Sequence, residues 1–127
     1  MGTLKTTLKV ESTDLFPTPV SFTNVNNNQV NGDFSGFNQV IPVLLPAVTI
    51  LNIAAISTSA YVYVQAPSSN TGTVVVWNEN NAGTDGPIQV ATLAAGDVGF
   101  FPYGGVENLL ATGNGTDRLY FFVGEKS

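Results

Sequence analysis

Tyr61-Val62-Tyr63-Val64 sets two aromatic rings on one side of an extended chain and two valines on the other, because successive side chains of a strand point to opposite faces. Similar runs return in Val74-Val75-Val76-Trp77, Ile88-Gln89-Val90, Val98-Gly99-Phe100-Phe101 and Leu119-Tyr120-Phe121-Phe122-Val123. Their β-branched and aromatic residues pack well on a pleated surface. Between them lie Ser68-Ser69-Asn70, the stretch from Asn78 to Pro87, Gly104-Gly105 and Gly113-Asn114-Gly115, where Gly and Asn adopt positive φ at little cost. No window carries an apolar period of 3.6 residues, and Glu, Lys, Gln and Met, the good helix formers, are scarce. The pattern predicts an all-β protein: a single-domain antiparallel β-sandwich or jelly roll of about 8–10 short strands, with a closed barrel as the other way to close the sheet.

Working towards the N-terminus, Thr3 to Val10 alternates loosely and reads as an edge strand whose lysines discourage stray pairing. Pro17 and Pro19 make residues 14–19 a stiff extended link. A division follows, with residues 1–16 as an extended arm or edge strand and 17–127 as the sandwich. Val20 to Val25 is expected to be a strand, and Asn26 to Asp33 an outer loop whose Asn31-Gly32 suits a type I′ turn. Phe37 to Leu45 and Val48 to Ala54 are expected strands around a proline corner, the second presenting Val48, Ile50 and Asn52 on one face and Thr49, Leu51 and Ile53 on the other. The apolar run from Val40 to Ile56 is interrupted by Pro42, Pro46, Thr49 and Asn52, and is shorter than the roughly 20 residues of a membrane helix. No membrane partner is expected. Residues 1–9 alternate instead of offering an apolar signal core, so the mature chain is expected to begin there.

The 127 residues suffice for one domain with a true core. Only 10% are charged while 43% are hydrophobic, which leaves a surface of Thr, Ser, Asn and Gly. Such a surface loses little on contact with a neighbour, because few charges need desolvating. Four basic residues against nine acidic ones, a net charge of -5, argue against a nucleic-acid groove.

The chain has no histidine and no cysteine, which removes the Ser-His-Asp triad, thiol nucleophiles and imidazole or thiolate zinc. A carboxylate-pair glycosidase would need two scattered acids to meet about 5–10 Å apart. Asp85 and Asp97 sit beside glycines before strands and read as turn residues. Glu79 to Gly86 is rich in oxygen ligands but lacks the alternating register of a calcium loop. Asn114-Gly115-Thr116 fits a glycosylation acceptor and equally a hairpin turn, the preferred reading. No catalytic residue, cofactor or metal is therefore expected. Aromatic and aliphatic side chains occupy both faces of residues 61–64 and 119–123, whereas one sandwich core covers only one face of each sheet. The second face calls for cover from loops, the N-terminal segment or another chain. Trp77 is assigned to the core, while Trp77 or Tyr103 would be the stacking platform of a carbohydrate-binding module.

The segment from Leu4 to Phe22, the strand Tyr61-Val62-Tyr63-Val64-Gln65, the Thr/Val strand after it, Leu93 to Gly105 and the closing stretch from Thr116 to Lys126 together resemble small accessory structural proteins of tailed-phage virions. The likeness rests on a Gly-Asp turn leading to an apolar strand and a proline, and on an aromatic strand near the C-terminus. It implies a non-enzymatic capsid decoration or cement protein on the capsid exterior, assembled in the host cytoplasm. Its partners would be the major capsid protein and further copies of itself, a trimer before a dimer. A tail or neck component is the alternative within the group. The expected interface residues are Leu4, Leu8, Leu15, Phe16, Asn27, Asn28, Tyr61, Tyr63 and Tyr103.

Overall fold

The computed structural model describes residues 2–14, 20–33, 38–52, 59–80, 86–104 and 107–126, with the side chains of 20 and 30–33 left aside. Ten strands and no helix occur among them: β1 (Gly2–Ser12), β2 (Val20–Asp33), β3 (Asn38–Val40), β4 (Val48–Leu51), β5 (Ala60–Gln65), β6 (Val74–Asn78), β7 (Ile88–Leu93), β8 (Val98–Tyr103), β9 (Leu109–Thr112) and β10 (Leu119–Lys126). All pairings are antiparallel. One sheet runs β1-β2-β10-β5-β8, with β3 also on β10, and the other runs β4-β9-β6-β7. The all-β expectation holds, and the two separate sheets pack as a sandwich.

Alternation decides what the two sheets bury. In β5, Ala60, Val62 and Val64 are buried while Tyr61, Tyr63 and Gln65 face outward. In β10, Leu119, Phe121 and Val123 turn inward. From the second sheet Val74, Val76, Leu109 and Ala111 meet them in a single apolar cluster. Full burial of a Val or Leu side chain contributes about 1.5–3 kcal/mol each, and this cluster is where the fold gains most.

Asp97 is a turn residue, as the sequence suggests. Its carboxylate accepts the Ala94 N–H at 2.9 Å, and Gly96 takes φ 88°, where a side chain would be strained. The turn is tied to the end of β5, with Gly96 N–H donating to Ala66 O at 2.8 Å and Ala66 N–H to Asp97 O at 2.9 Å. Asn114 organises the hairpin turn before β10, its side-chain oxygen accepting the N–H groups of Thr116 and Asp117. Asp85 lies outside the described residues.

Several expectations need correction. The tract 26–33 is not a loop: β2 runs through it, pairing Asn26 with Thr6, Asn27 with Lys5 and Asn28 with Leu4, and Asn31-Gly32 makes no hairpin turn because the strand continues until Asp33 meets Gly124 of β10. Polar side chains cost a strand little when both faces meet water. The strand expected over 37–45 shrinks to Asn38–Val40, and Leu44 and Leu45 beyond it are 74% and 83% exposed. In β4 a register shift between Thr49 and Leu51 puts Ile50 and Leu51 both inside, which no strict alternation allows.

Trp77 is the largest departure. Alternation from the buried Val74 and Val76 and its pairing with Leu110 leave it on the outer face of the second sheet. There its indole N–H donates to Thr112 Oγ1 at 2.8 Å. With Leu44, Leu45, Ala47, Pro87 and Leu110 it lines a shallow apolar depression of about 240 Å³.

Candidate functional site: a groove beneath the N-terminal hairpin

β1 and β2 form a ribbon of eleven residue pairs, Gly2 with Val30 through Ser12 with Val20. Only its base joins the body, where Val30 and Asp33 meet Lys126 and Gly124 across a register shift. The arm expected from residues 1–16 is thus one half of a hairpin. No residue of β1 is buried, and a two-stranded ribbon is at best marginal without support from a third element.

The register sorts the ribbon into two faces. Leu4 lies opposite Asn28, Thr6 opposite Asn26, Leu8 opposite Asn24 and Val10 opposite Phe22. The intervening positions pair Thr3 with Gln29, Lys5 with Asn27 and Lys9 with Thr23. The first face leans over the outer side of β5, β8 and β10 and encloses a groove of about 770 Å³. Its floor holds Tyr61, Tyr63, Phe100 and Phe122, and its wall Leu4, Asn24, Asn26 and Asn28. Tyr61 donates its hydroxyl to Asn28 Oδ1 at 3.1 Å and fastens wall to floor.

The floor is ordered by cross-strand contacts. Tyr63 pairs with Phe100 across β5 and β8, and the Tyr61 and Phe100 rings stack with centroids 5.7 Å apart and planes 12° apart. Lys126 Nζ sits 4.9 Å from the Tyr61 ring centroid, within reach of the ring's negative face. Tyr63 donates to Gln65 Oε1 at 3.0 Å. Phe100 is 39% exposed, so part of its ring remains open to a ligand. On the wall, the carboxamides of Asn24 and Asn26 are hydrogen-bonded to each other.

The expected interface residues divide on this geometry. Leu4, Leu8, Asn28, Tyr61 and Tyr63 come together around the groove. Asn27 is in register with Lys5, on the opposite face of the ribbon. Leu15 and Phe16 lie outside the described residues. Tyr103 belongs elsewhere, packed against the core. Its hydroxyl accepts from Asn78 Nδ2 at 3.0 Å and donates to Glu107 O at 2.6 Å, and burial pushes its phenol above the ordinary tyrosine range. It ties β8 to β6.

Sequence reasoning missed Phe100, Phe122 and Asn24. The alternation of Phe100 and Phe101 is visible in the chain, but its meaning depends on Phe100 standing beside Tyr63, which only the register reveals. Leu8, Val10, Phe22 and Val25 remain about half exposed along the ribbon, an apolar surface that the body leaves uncovered.

At one end of the sandwich a polar cluster pins two loops. Asp117 is 3% exposed and accepts Thr71 N–H at 2.8 Å, Gly72 N–H at 2.6 Å and Asn114 Nδ2 at 3.1 Å. The Thr71 N–H above all holds its carboxyl below the usual aspartate range, against the opposing effect of burial, with help from Gly72, the Thr71 hydroxyl and Asn114. Asn70 exchanges two 2.8 Å bonds with the Arg118 backbone. Every group in this cluster has a structural task. Among the described residues no three acidic side chains converge as a metal cluster would require.

Scans against protein-family models, curated proteins and solved structures each returned no match to this chain.

Proposed function

We propose that this protein is a virion structural component without enzymatic activity, a capsid decoration protein that binds the major capsid protein on the outside of the shell and stabilises it. The observation that carries the reading is the β1–β2 ribbon, which joins the body through two residue pairs and leaves Leu8, Val10, Phe22 and Val25 about half exposed. An arm of this kind reaches a neighbouring protein without disturbing the core. The Trp77 depression supplies a second apolar contact on the outer face of the other sheet. Two apolar surfaces on one small domain suit a protein that touches both its own copies and a lattice, and a trimer is the favoured assembly.

Repetition provides the affinity. When one copy of an oligomer engages, the next contacts become intramolecular, and avidity exceeds single-site affinity by about 10²–10⁴-fold. The test is co-sedimentation with intact capsids. The full chain is expected to pellet with them and to raise the temperature at which they rupture, and a chain lacking residues 1–29 is expected to fold, stay in solution and protect nothing. Undecorated shells as robust as decorated ones, or density placing the chain in a tail or neck, would defeat the capsid assignment.

A further inference from the structure

We propose that the groove between the β1–β2 ribbon and the outer face of β5, β8 and β10 is a binding site for a neutral oligosaccharide. Its volume, about 770 Å³, lies within the range of about 300–1,000 Å³ typical of small-molecule sites.

The two walls offer two different chemistries. Phe100 and Tyr63 present ring surface from the floor, and the C–H faces of a pyranose bury apolar area against such rings. Opposite them Asn24, Asn26 and Asn28 stand two residues apart on one face of β2. A carboxamide both donates and accepts hydrogen bonds, and sugar hydroxyls do the same. Successive residues on one face of a strand recur at about 6.6–6.8 Å, so an extended saccharide can meet more than one of these carboxamides.

Charge narrows the ligand. Among the described residues no carboxylate lines the groove, Lys5 lines it from the ribbon position that pairs with Asn27, and Lys126 is engaged over the Tyr61 ring. The rest of the lining is apolar or neutral-polar, so a neutral glycan meets ring and carboxamide without the cost of desolvating a charge, which an acidic one would offset only at these two lysines. Strand addition by a peptide would use the outer edge of β8, the last strand of its sheet, whereas the rings and carboxamides of the groove stand on strand faces. The site is independent of whether the ribbon also contacts a shell.

The experiment is a solution titration of the full chain, followed by amide and aromatic NMR shifts, with cellotetraose, maltotetraose, mannotetraose and chitotetraose as neutral probes and tetragalacturonate as the acidic one. At least one neutral probe is expected to bind and to shift Tyr61, Tyr63 and Phe100. Phe100→Ala is expected to weaken it about tenfold, the effect of losing one stacked ring, and Asn26→Ala several-fold, whereas Trp77→Ala leaves binding unchanged. Phe100→Leu, which keeps apolar volume and removes the ring, separates stacking from any loss of folding. Failure of all four neutral probes, preference for tetragalacturonate, or binding that Phe100→Ala and Phe100→Leu leave intact would overturn the proposal. So would protection of Tyr63 from chemical labelling on self-association, because the occupant would then be a second copy of the chain.

Discussion

β5 and β1 are both extended and both alternate, yet β5 buries every second residue while β1 buries none. The difference lies in what stands opposite each strand. β5 has β10 and β8 on its two edges and the second sheet against one face, so its valines leave water entirely. β1 has one partner strand and no partner sheet. The body is thus held together by area removed from water, and the ribbon by its backbone ladder and a tether from Asn28 to Tyr61. Stability in this molecule follows coverage, and strand propensity alone does not supply it.

The sharpest way to break this contrast is to cut into the body. Leu109→Ala, at a fully buried position, is expected to cost about 2–5 kcal/mol in urea unfolding, and a cost below 1 kcal/mol would mean that the cluster around it is loosely packed. Asp117→Asn comes next. It keeps the shape but turns an acceptor of the Gly72 N–H into a group that can oppose it. Because the folded carboxyl lies below its ordinary value, its contribution is complete above that value and disappears as pH falls through the folded one. The melting temperature of the variant is therefore expected to lie below that of the parent at neutral pH, and the gap to close on acidification below the ordinary aspartate range. A gap that persists or widens in acid would contradict the network.

Hydrogen exchange tests the same contrast without mutation. Amides of β5 and β10 are expected to exchange only through global unfolding, while those of β1 exchange through local opening of the ribbon. Equal protection would show that the ribbon and body unfold as one unit. Smallest of all should be Leu8→Ala, 58% exposed on the ribbon, with a change within about 0.5 kcal/mol. A larger loss would reveal a contact that buries Leu8 in an assembly.

Much of the body was legible in the chain. Tyr61 to Val64 and Leu119 to Val123 alternate strictly, and the structure follows them residue by residue. The Asn-rich tract misled because Asn is depleted in strands and favoured in turns, yet propensity decides little for a ribbon with water on both sides. Trp77 misled for a different reason: alternation puts it opposite to Val74 and Val76, and only the packing of the two sheets shows that the valines are the buried pair. Part of the groove is legible too: Leu4, Leu8, Asn28, Tyr61 and Tyr63 read from the chain as interface residues, although nothing in it places them together.

Local patterning is enough to make this chain one of strands, to set its turns at Gly96-Asp97 and Asn114-Gly115, and to part the valines of β5 from its rings. These are consequences of a two-residue period and of backbone preferences, which act between neighbours. Long-range pairing is needed to settle which ring faces which, where Ile50 and Leu51 both turn inward, and how β2 reaches β10 so that the ribbon folds back over the sheet. Asn28 and Tyr61 are 33 residues apart in the chain. No local rule specifies such a contact, because it depends on register and twist accumulated over several strand pairings, and the groove exists only as their result.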